Sequence, residues 1–403
     1  MRTTGGSDAR RLSTHEGPAK PRLLRAINNR VALELLLERG SLSRSDIARL
    51  TGVSKPTASQ VLSRLEAAGL VLPISKTEGR PGRVAQLYML NPRAGFAAAV
   101  DVTPRKVQAQ VADLAGAVIG DATLGRPRRG GTGPGWALSA LDLALEQAGL
   151  TRSDLKSMVV GAAGSYDTEA DQLKFAPHLS GWQRPGLVRD LEAEIGIPVR
   201  VENDVNLAAI AERRAGAAQN FSDFFLFWVD VGIGGALMVD DRVLRGATGG
   251  AGELSYLHLP SIDRIVSPVR GSVGGLERWV DQDAVTALAT EHGLAGADPV
   301  RLLAEAAADP TAGRADFLSS LALRFAIGLS AVVALVDPAA IIVGGSWLRA
   351  GGEPLRALVS RHLDDVAVST PPVLCSAVEG NPVLAGALFT ALDHARDHAF
   401  SAT

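Results

Sequence analysis

The sequence predicts an α/β protein in which a small basic N-terminal domain precedes a larger, acidic, two-lobed body. Its 403 residues are too many for one small domain and fit two or three of ordinary size. Residues 1–93 carry 16 Lys and Arg against 7 Asp and Glu, whereas residues 94–403 carry 25 against 36. From Phe96 onward, short apolar strands alternate with glycine turns, unlike the helical pattern before it. The net charges of +9 and −11 indicate a polyanion-binding module attached to a different kind of domain.

Composition excludes several classes of protein. Hydrophobic residues make up 46% and charged residues 21% of the chain, so a sizeable core is expected rather than disorder. The single cysteine, Cys375, excludes a disulfide-stapled scaffold and a metal site built on several thiolates. The longest apolar stretch, Ala326–Val336, is too short to cross a bilayer, and residues 1–17 contain no apolar secretory segment. We therefore expect a soluble cytoplasmic protein with no membrane partner.

Residues 1–20 are expected to form a flexible polar arm, and residues 21–93 predict a winged helix-turn-helix. Serine N-caps and glycine stops delimit the second and third helices. The predicted elements are three helices (Pro21 to Gly40, Ser43 to Gly52 and Ser54 to Gly69) and two strands (Leu70–Ile74 and Ala85–Leu90). Three helices followed by a two-stranded ribbon are typical of a winged helix-turn-helix.

The helix that starts at Ser54 is predicted to enter the DNA major groove, while the helix before it contacts the DNA backbone. Polar and basic side chains crowd its first turns, where unpaired N–H groups already attract phosphate. We expect Gln60 to read base edges and Lys55 and Arg64 to contact phosphates. The predicted set is Ser54, Lys55, Thr57, Ser59, Gln60 and Arg64. The alternative interpretation is a helix face that is merely solvated.

The tip of the ribbon, Gly79–Arg83, holds two arginines on a backbone rich in Gly and Pro. Arg80 and Arg83 are therefore predicted to enter a narrow A·T-rich minor groove, where the negative potential is strongest. The alternative is an ordinary hairpin turn, since Gly and Pro favour turns in any case.

Residues 94–403 predict two α/β lobes, about 94–215 and 216–403, that face each other across a cleft. In the first lobe, strands at Ala97–Val100, Val107–Val111 and Ala117–Ile119 precede alternating helices and strands. The second lobe opens with strands at Phe224–Val229 and Gly235–Val239 and becomes mostly helical after Arg278.

Three stretches of the body resemble the ROK family of sugar kinases and sugar-responsive repressors. They are VENDVNLAAIAE (Val201–Glu212), DVGIGGALMVDDRVLRGATGGAGEL (Asp230–Leu254) and LVDPAAIIVGG (Leu335–Gly345). The resemblance covers about residues 22–395 and implies an actin-like ATPase fold, that is, a sugar-kinase-like body. The preceding helix-turn-helix makes the chain similar to the repressor branch of the family.

The resemblance also implies a set of sugar-binding residues. Asp204 matches the family's base for the sugar hydroxyl, and Asn203 beside it would supply a donor and an acceptor. Glu253 matches a position that contacts the sugar, and Tyr256 stands where the family has a His. Glu277 is kept from the family's zinc motif and is expected to hold a sugar hydroxyl. Without the resemblance, Asn203 or Asp204 is also suited to capping the helix that follows.

The family's zinc motif aligns with Pro268–Glu277, but its ligands are missing here. Its three cysteines are replaced by Pro268, Arg270 and Gly275, and its histidine by Tyr256. Because structural zinc needs about four N or S ligands, we expect no bound metal. His178 and His258 are each alone in sequence and are expected to be packing or surface residues.

The first phosphate loop of the family's kinases is degenerate in this chain. Where the kinases have Asp-x-Gly-Gly-Thr-Lys, residues Asp101–Lys106 read DVTPRK, without either glycine. The second loop, Asp230–Gly235, is closer to intact, and Gly344-Gly345 would flank an adenine pocket or serve a strand–helix turn. We expect no productive ATP binding, no cofactor and no kinase activity.

These observations favour a DNA-binding transcriptional regulator, a repressor of carbohydrate-metabolism genes whose body senses a sugar or sugar derivative. A homodimer, or a dimer of dimers, would grip a palindromic operator. Two alternatives stay open: an active ROK sugar kinase with an appended DNA-binding head, and a regulator whose cleft binds no ligand.

Overall fold

The computed structural model describes residues 19–74, 86–126, 133–176, 178–179, 181–230, 232–257 and 275–401. The chain divides into two compact units, Met1–Gly95 with Arg396–Thr403, and Phe96–Ala395. The first unit is called the head here and the second the body. Of the predicted arm, residues 1–18 lie outside the described residues, and Ala19 and Lys20 begin the first helix.

Among its described residues, the head contains three helices, the end of the chain's C-terminal helix and a three-stranded sheet. Its elements are α1 (Ala19–Arg39), β1 (Ser41–Ser43), α2 (Arg44–Thr51), α3 (Lys55–Ala67), β2 (Val71–Ile74) and β3 (Leu87–Leu90). The sheet has the antiparallel order β1-β3-β2, so the prediction of a two-stranded ribbon was wrong by one strand. The additional strand is β1, in which Leu42 pairs with Tyr88 of β3. With only three residues, β1 is too short to show an alternating hydrophobic pattern in the sequence.

The predicted starts and stops of the two short helices in the head are confirmed. Ser43 forms a capping box with Asp46, and the left-handed Gly52 (φ 73°) ends α2. Ser54 Oγ accepts a hydrogen bond from the Thr57 backbone N–H and so caps α3. These caps satisfy backbone donors that the helices themselves leave unpaired, which fixes where α3 begins.

The first lobe of the body is a five-stranded sheet packed with helices. Its elements are β4 (Phe96–Val102), β5 (Lys106–Asp113), β6 (Val118–Gly125), α4 (Pro134–Ala148), β7 (Leu155–Ala162), β8 (Ser165–Asp167), β9 (Gln172–Lys174), α5 (Leu187–Ile195), β10 (Val199–Asn203) and α6 (Asp204–Ala215). The order is β10-β7-β4-β5-β6, with β10, β7 and β4 parallel, while β8 and β9 form a separate hairpin. The strand β4 is buried along its whole length.

The second lobe repeats this topology. Its elements are β11 (Phe224–Val229), β12 (Ile233–Val239), β13 (Arg242–Val243), α7 (Glu277–Val280), α8 (Gln282–Glu291), α9 (Pro299–Ala308), α10 (Ala312–Val336), β14 (Ile341–Gly344), α11 (Ser346–Val366), β15 (Val373–Cys375) and α12 (Pro382–Ser401). The order β13-β12-β11-β14-β15 places three antiparallel-paired strands beside two parallel ones, as in the first lobe. In both lobes the carboxyl ends of parallel strands meet at one edge, where α/β proteins commonly bind ligands.

Two long helices of the body, α10 and α12, differ in what they pack against. Within the described residues, α10 alone is long and apolar enough to cross a membrane by length and composition. Its 25 residues include the apolar stretch Ala326–Val336 and extend 14 residues before it. Its buried side chains, Phe317 and Phe325 among them, pack into the core of the second lobe. The start of α12 packs closely against α6 of the first lobe. A Cβ on Gly386 would lie only 1.9 Å from the Leu207 carbonyl oxygen, so this close approach requires glycine.

Candidate functional site

The first turns of α3 present polar side chains at the surface of the head. Ser54, Lys55 and Gln60 are exposed, and Thr57 and Ser59 are partly exposed. The Ser54 and Thr57 hydroxyl oxygens lie 2.8 Å apart, so both side chains also serve the helix cap. Lys55, Ser59 and Gln60 therefore form the part of this surface that is best placed to contact a partner.

Arg64, which is predicted to contact phosphate, makes a hydrogen bond inside the head. Its Nη2 donates to Asn29 Oδ1 at 3.1 Å, and Asn29 is fully buried. The Arg64 side chain thus joins α3 to α1 inside the head, because residues 35 positions apart become neighbours only in the folded structure. The other two predicted DNA-contacting arginines, Arg80 and Arg83, lie outside the described residues.

The cleft residues of the first lobe lie at the carboxyl ends of its parallel strands. Asn203 ends β10 and caps α6, with its Oδ1 accepting from the Asn206 backbone N–H at 3.0 Å. Its Nδ2 donates to the Gly164 carbonyl oxygen at 3.0 Å. The capping interpretation of Asn203 is therefore confirmed, and one of its two amide hydrogens is already used within the protein.

Asp204 is the first residue of α6 and a buried acid of the cleft. Burial raises the pKa of Asp204 to about 7, and the nearby carboxylates of Asp101 and Glu253 add to the rise. The Val205 backbone N–H donates to Asp204 Oδ1 at 2.9 Å, and this hydrogen bond opposes the rise in pKa. This carboxyl can therefore hold or release a proton near neutral pH.

Asp101, which the sequence marked only as the start of a degenerate loop, belongs to the same cluster. Its side chain is buried, and its Oδ2 accepts from Asn381 Nδ2 at 2.7 Å. The same amide donates to Gln108 Oε1 at 2.9 Å. Burial raises the pKa of Asp101, opposed by the Asn381 hydrogen bond and by the charge of Lys106. An acid at the end of an apolar strand is the one sequence signal that could have identified it.

The second lobe contributes Glu253, Tyr256 and Glu277. Burial and the charge of Glu277 raise the pKa of Glu253, and burial followed by both glutamates raises the pKa of Tyr256. Burial and then Asp281 raise the pKa of Glu277, with His178 opposing the rise. Burial is the largest cause of each shift, and the charges of Glu253 on Asp204 and of Glu277 on Glu253 and Tyr256 add to it. These pairwise effects show that the structure brings Asp204, Glu253, Tyr256 and Glu277 into one cleft.

His178 is exposed, which agrees with the expected surface position, but the shift that it causes shows that it is not isolated in space. His258 lies outside the described residues. Of the aligned zinc positions, Tyr256 and Gly275 are described, and Pro268 and Arg270 are not. Among the described residues, no group of three or more His, Cys, Asp or Glu is arranged to hold a metal. The residue types do not fit zinc, and absence of metal stays a prediction.

The backbone of the degenerate first loop is closed by its own hydrogen bonds. The Thr103 N–H donates to the Lys106 carbonyl at 3.0 Å, and the Lys106 N–H donates to Thr103 Oγ1 at 3.1 Å. Pro104 between them has no N–H to offer. This tight β4–β5 turn therefore has few backbone donors left for a phosphate.

Glycines of the second loop and of β14 have packing roles. A Cβ on Gly234 would lie 2.6 Å from Val205 Cγ2, and one on Gly235 would lie 2.3 Å from Phe225 Cζ. Gly345 is left-handed (φ 92°), and its Cβ would meet the Val229 carbonyl oxygen at 2.1 Å. The cavity beside Gly344 and Gly345 measures about 140 Å³, below the roughly 300–1,000 Å³ of typical ligand pockets. These glycines are needed for packing whether or not a nucleotide binds.

Fold and site together define a helix-turn-helix head joined to a two-lobed body with an acidic cleft. A family model described as "ROK family" matches residues 97–393, and one described as "MarR family" matches residues 24–80. The chain belongs to the ROK family.

Similar proteins include both regulators and enzymes. The chain is 23% identical to the xylose repressor of Caldicellulosiruptor bescii over 339 residues, 80% of this chain and 84% of that one. It is 27% identical to the glucokinase of Streptomyces coelicolor over 290 residues, 67% of this chain and 88% of that one. A solved ROK family transcriptional regulator, described as a homologue of the E. coli MLC protein, shares the fold with a TM-score of 0.71. That match is 19% identical and covers 94% of this chain and 100% of the other, so it includes the head.

Proposed function

We propose that this protein is a sugar-responsive transcriptional repressor of carbohydrate-metabolism genes. In this proposal the head binds operator DNA, and a sugar or sugar derivative in the cleft of the body controls that binding. The observation that carries it is the presence, in one chain, of a capped α3 with polar side chains exposed at its first turns and of a cleft that gathers Asp204, Glu253 and Glu277. Similarity to a protein named as a xylose repressor supports the same combination.

The chemistry of the cleft suits a polyhydroxylated ligand. Carboxylate oxygens accept hydrogen bonds from hydroxyl groups, and in a partly desolvated site each lost partner costs about 1–3 kcal/mol. Asp204 and Glu253 are the acceptors that we assign to sugar hydroxyls, with Glu277 and Tyr256 beside them. Asn203 is expected to contribute less to sugar binding, because its side-chain oxygen, Oδ1, already caps α6.

The kinase alternative is weaker for a geometric reason. Asp204 matches the position of the family's base, but the Thr103 and Lys106 N–H groups of the first loop are used in hydrogen bonds within the turn, and Pro104 has none. Phosphoryl transfer depends on donors that hold the phosphates in position, so we propose that the chain does not turn over ATP. Incubation with ATP and a panel of sugars should produce no ADP above a protein-free control; sugar-dependent ADP formation would favour the kinase.

We further propose that a homodimer or a dimer of dimers binds a palindromic operator in the cytoplasm. Two heads must reach half-sites about 34–36 Å apart, so a small ligand-induced rotation would prevent both from binding at once. Light scattering of the complex with a selected duplex should give two or four chains per operator. A single chain per duplex would contradict this part of the proposal.

DNA binding by α3 can be tested with single substitutions in the full chain. Lys55→Ala should weaken binding on every sequence and lower the slope of log K against log salt by about 1, because one phosphate contact is lost. Gln60→Ala should instead relax the preference at one base pair, at a cost of about 1–3 kcal/mol.

Arg361→Ala is the matched control, because it removes an exposed positive charge from α11 of the body. Its DNA affinity should equal that of the wild type. If Lys55→Ala and Gln60→Ala also bind normally, α3 is not the recognition helix.

A further inference from the structure

Phe175, directly after β9, is an unusual residue by two measures. Its side chain is 56% exposed, although burying an aromatic ring is among the larger gains of folding. Its backbone is left-handed (φ 56°), a conformation that bulky residues rarely adopt outside functional sites. Folding alone therefore gives little reason to place a phenylalanine at this position.

The ring of Phe175 contacts Tyr256 across the cleft. The two ring centroids lie 5.8 Å apart with an angle of 56° between the planes, within the range of favourable aromatic pairs. Phe175 follows a strand of the first lobe, whereas Tyr256 ends a short helical turn of the second. The pair thus joins the two walls of the cleft. Tyr256 is three residues after Glu253 in the sequence, so the pair lies beside the acidic residues.

Behind this apolar contact the cleft is acidic. Burial and the neighbouring acids raise the pKa values of Asp204, Glu253 and Glu277, which means that further negative charge is disfavoured there. An anionic ligand such as a sugar phosphate would meet like charges at close range. A ligand with hydroxyl groups on one edge and an uncharged apolar face fits both features.

We propose that Phe175 is a specificity-determining residue whose ring packs against the C–H face of an uncharged pyranose bound in the cleft. The pyranose hydroxyls face Asp204 and Glu253, while the C–H groups of one ring face cover Phe175 next to Tyr256. The inference rests on the proposed function, since it names the class of effector and a residue that selects it. The exposed ring and its unfavourable backbone are explained as a binding surface prepared before the ligand arrives.

The test compares binding of named sugars by calorimetry with the full-length protein. The probes are D-xylose, D-glucose, D-galactose, D-mannose and N-acetyl-D-glucosamine, together with D-glucose 6-phosphate. Phe175→Asn keeps a residue that tolerates the left-handed backbone but removes the ring, and should weaken the best uncharged sugar about 10-fold or more. Phe175→Trp keeps an aromatic face and should bind within about 3-fold of the wild type. D-Glucose 6-phosphate should bind at least about 10-fold more weakly than D-glucose.

Leu335→Asn is the matched control, because it removes a side chain that is 84% exposed at the end of α10. It should leave sugar affinity unchanged, and Phe175→Asn should melt at the temperature of the wild type. If Phe175→Asn binds the sugars as the wild type does, the inference fails while sugar sensing stands. If the wild type binds none of the uncharged sugars, or prefers the phosphate, the assignment of an uncharged pyranose is overturned; binding none also removes support for a sugar effector.

Discussion

Replacing Asp204 by Asn is expected to stabilise the folded protein, and to do so more at pH 8 than at pH 5. Burial, with help from Asp101 and Glu253, raises the pKa of Asp204 from its ordinary 3.8 to about 7. Between these values the folded protein holds a proton that the unfolded chain releases, so the free energy of unfolding falls as the pH rises through this window. About three pKa units at 1.36 kcal/mol each give a gain of about 4 kcal/mol above pH 7 and about 2 kcal/mol at pH 5.

The assay is urea or thermal unfolding of the wild type and Asp204→Asn at both pH values. The Val205 N–H keeps an acceptor in the variant, so the substitution tests charge rather than helix capping. Asp154→Asn is the control with the opposite sign. Hydrogen bonds from Thr151 lower the pKa of Asp154, so this carboxylate stabilises the fold at neutral pH and its loss should destabilise it. Equal effects of Asp204→Asn at the two pH values, or a loss of stability at pH 8, would refute the burial argument.

Two further predictions concern the body. Glu212 is fully buried and accepts hydrogen bonds from Ser376 Oγ at 2.5 Å and the Ala217 N–H at 2.8 Å, so Glu212→Ala should lower the free energy of unfolding by about 2–4 kcal/mol. Denaturation by urea measures this, and a loss under about 0.5 kcal/mol would show that the network contributes little. Purified protein should contain no stoichiometric zinc, because Tyr256 and Gly275 occupy family ligand positions; one zinc per chain by elemental analysis would contradict this.

Features that depend on local sequence were predictable. The capping residues Ser43 and Ser54 and the glycines that end the helices fix α2 and α3 within the chain itself. The alternation of apolar strands and helices predicted the two α/β lobes, because the run of apolar residues in each strand indicates by itself that the strand is buried. The cleft carboxylates Asp204, Glu253 and Glu277 were predicted from motifs, and the position of Asp204 directly after β10 follows from the parallel pairing of that strand.

Features that depend on distant residues were not predictable. Asp101 and Asn381 are 280 positions apart, and only folding reveals that this amide holds the buried acid next to Asp204. The hydrogen bond from Arg64 to Asn29 was not predictable, because the two residues lie on different helices, and the phosphate contact of Arg64 stays a prediction. The strand β1 was missed for a different reason, since three residues show no period and gain their structure from pairing with β3.

In the proposed function, sugar binding between the two lobes controls DNA binding by the head. The most direct measurement is fluorescence anisotropy of a duplex selected from random sequence by the full-length protein, titrated with the uncharged sugars named above. One sugar should change the DNA Kd by at least about fivefold. Asp204→Asn and Glu253→Gln should bind the same duplex normally and respond only at roughly 5- to 150-fold higher sugar concentration, the equivalent of about 1–3 kcal/mol. Asp154→Asn should respond as the wild type does. Control of DNA binding by sugar in the cleft is contradicted if no sugar changes the DNA affinity of the wild type, or if both cleft variants respond at wild-type concentrations.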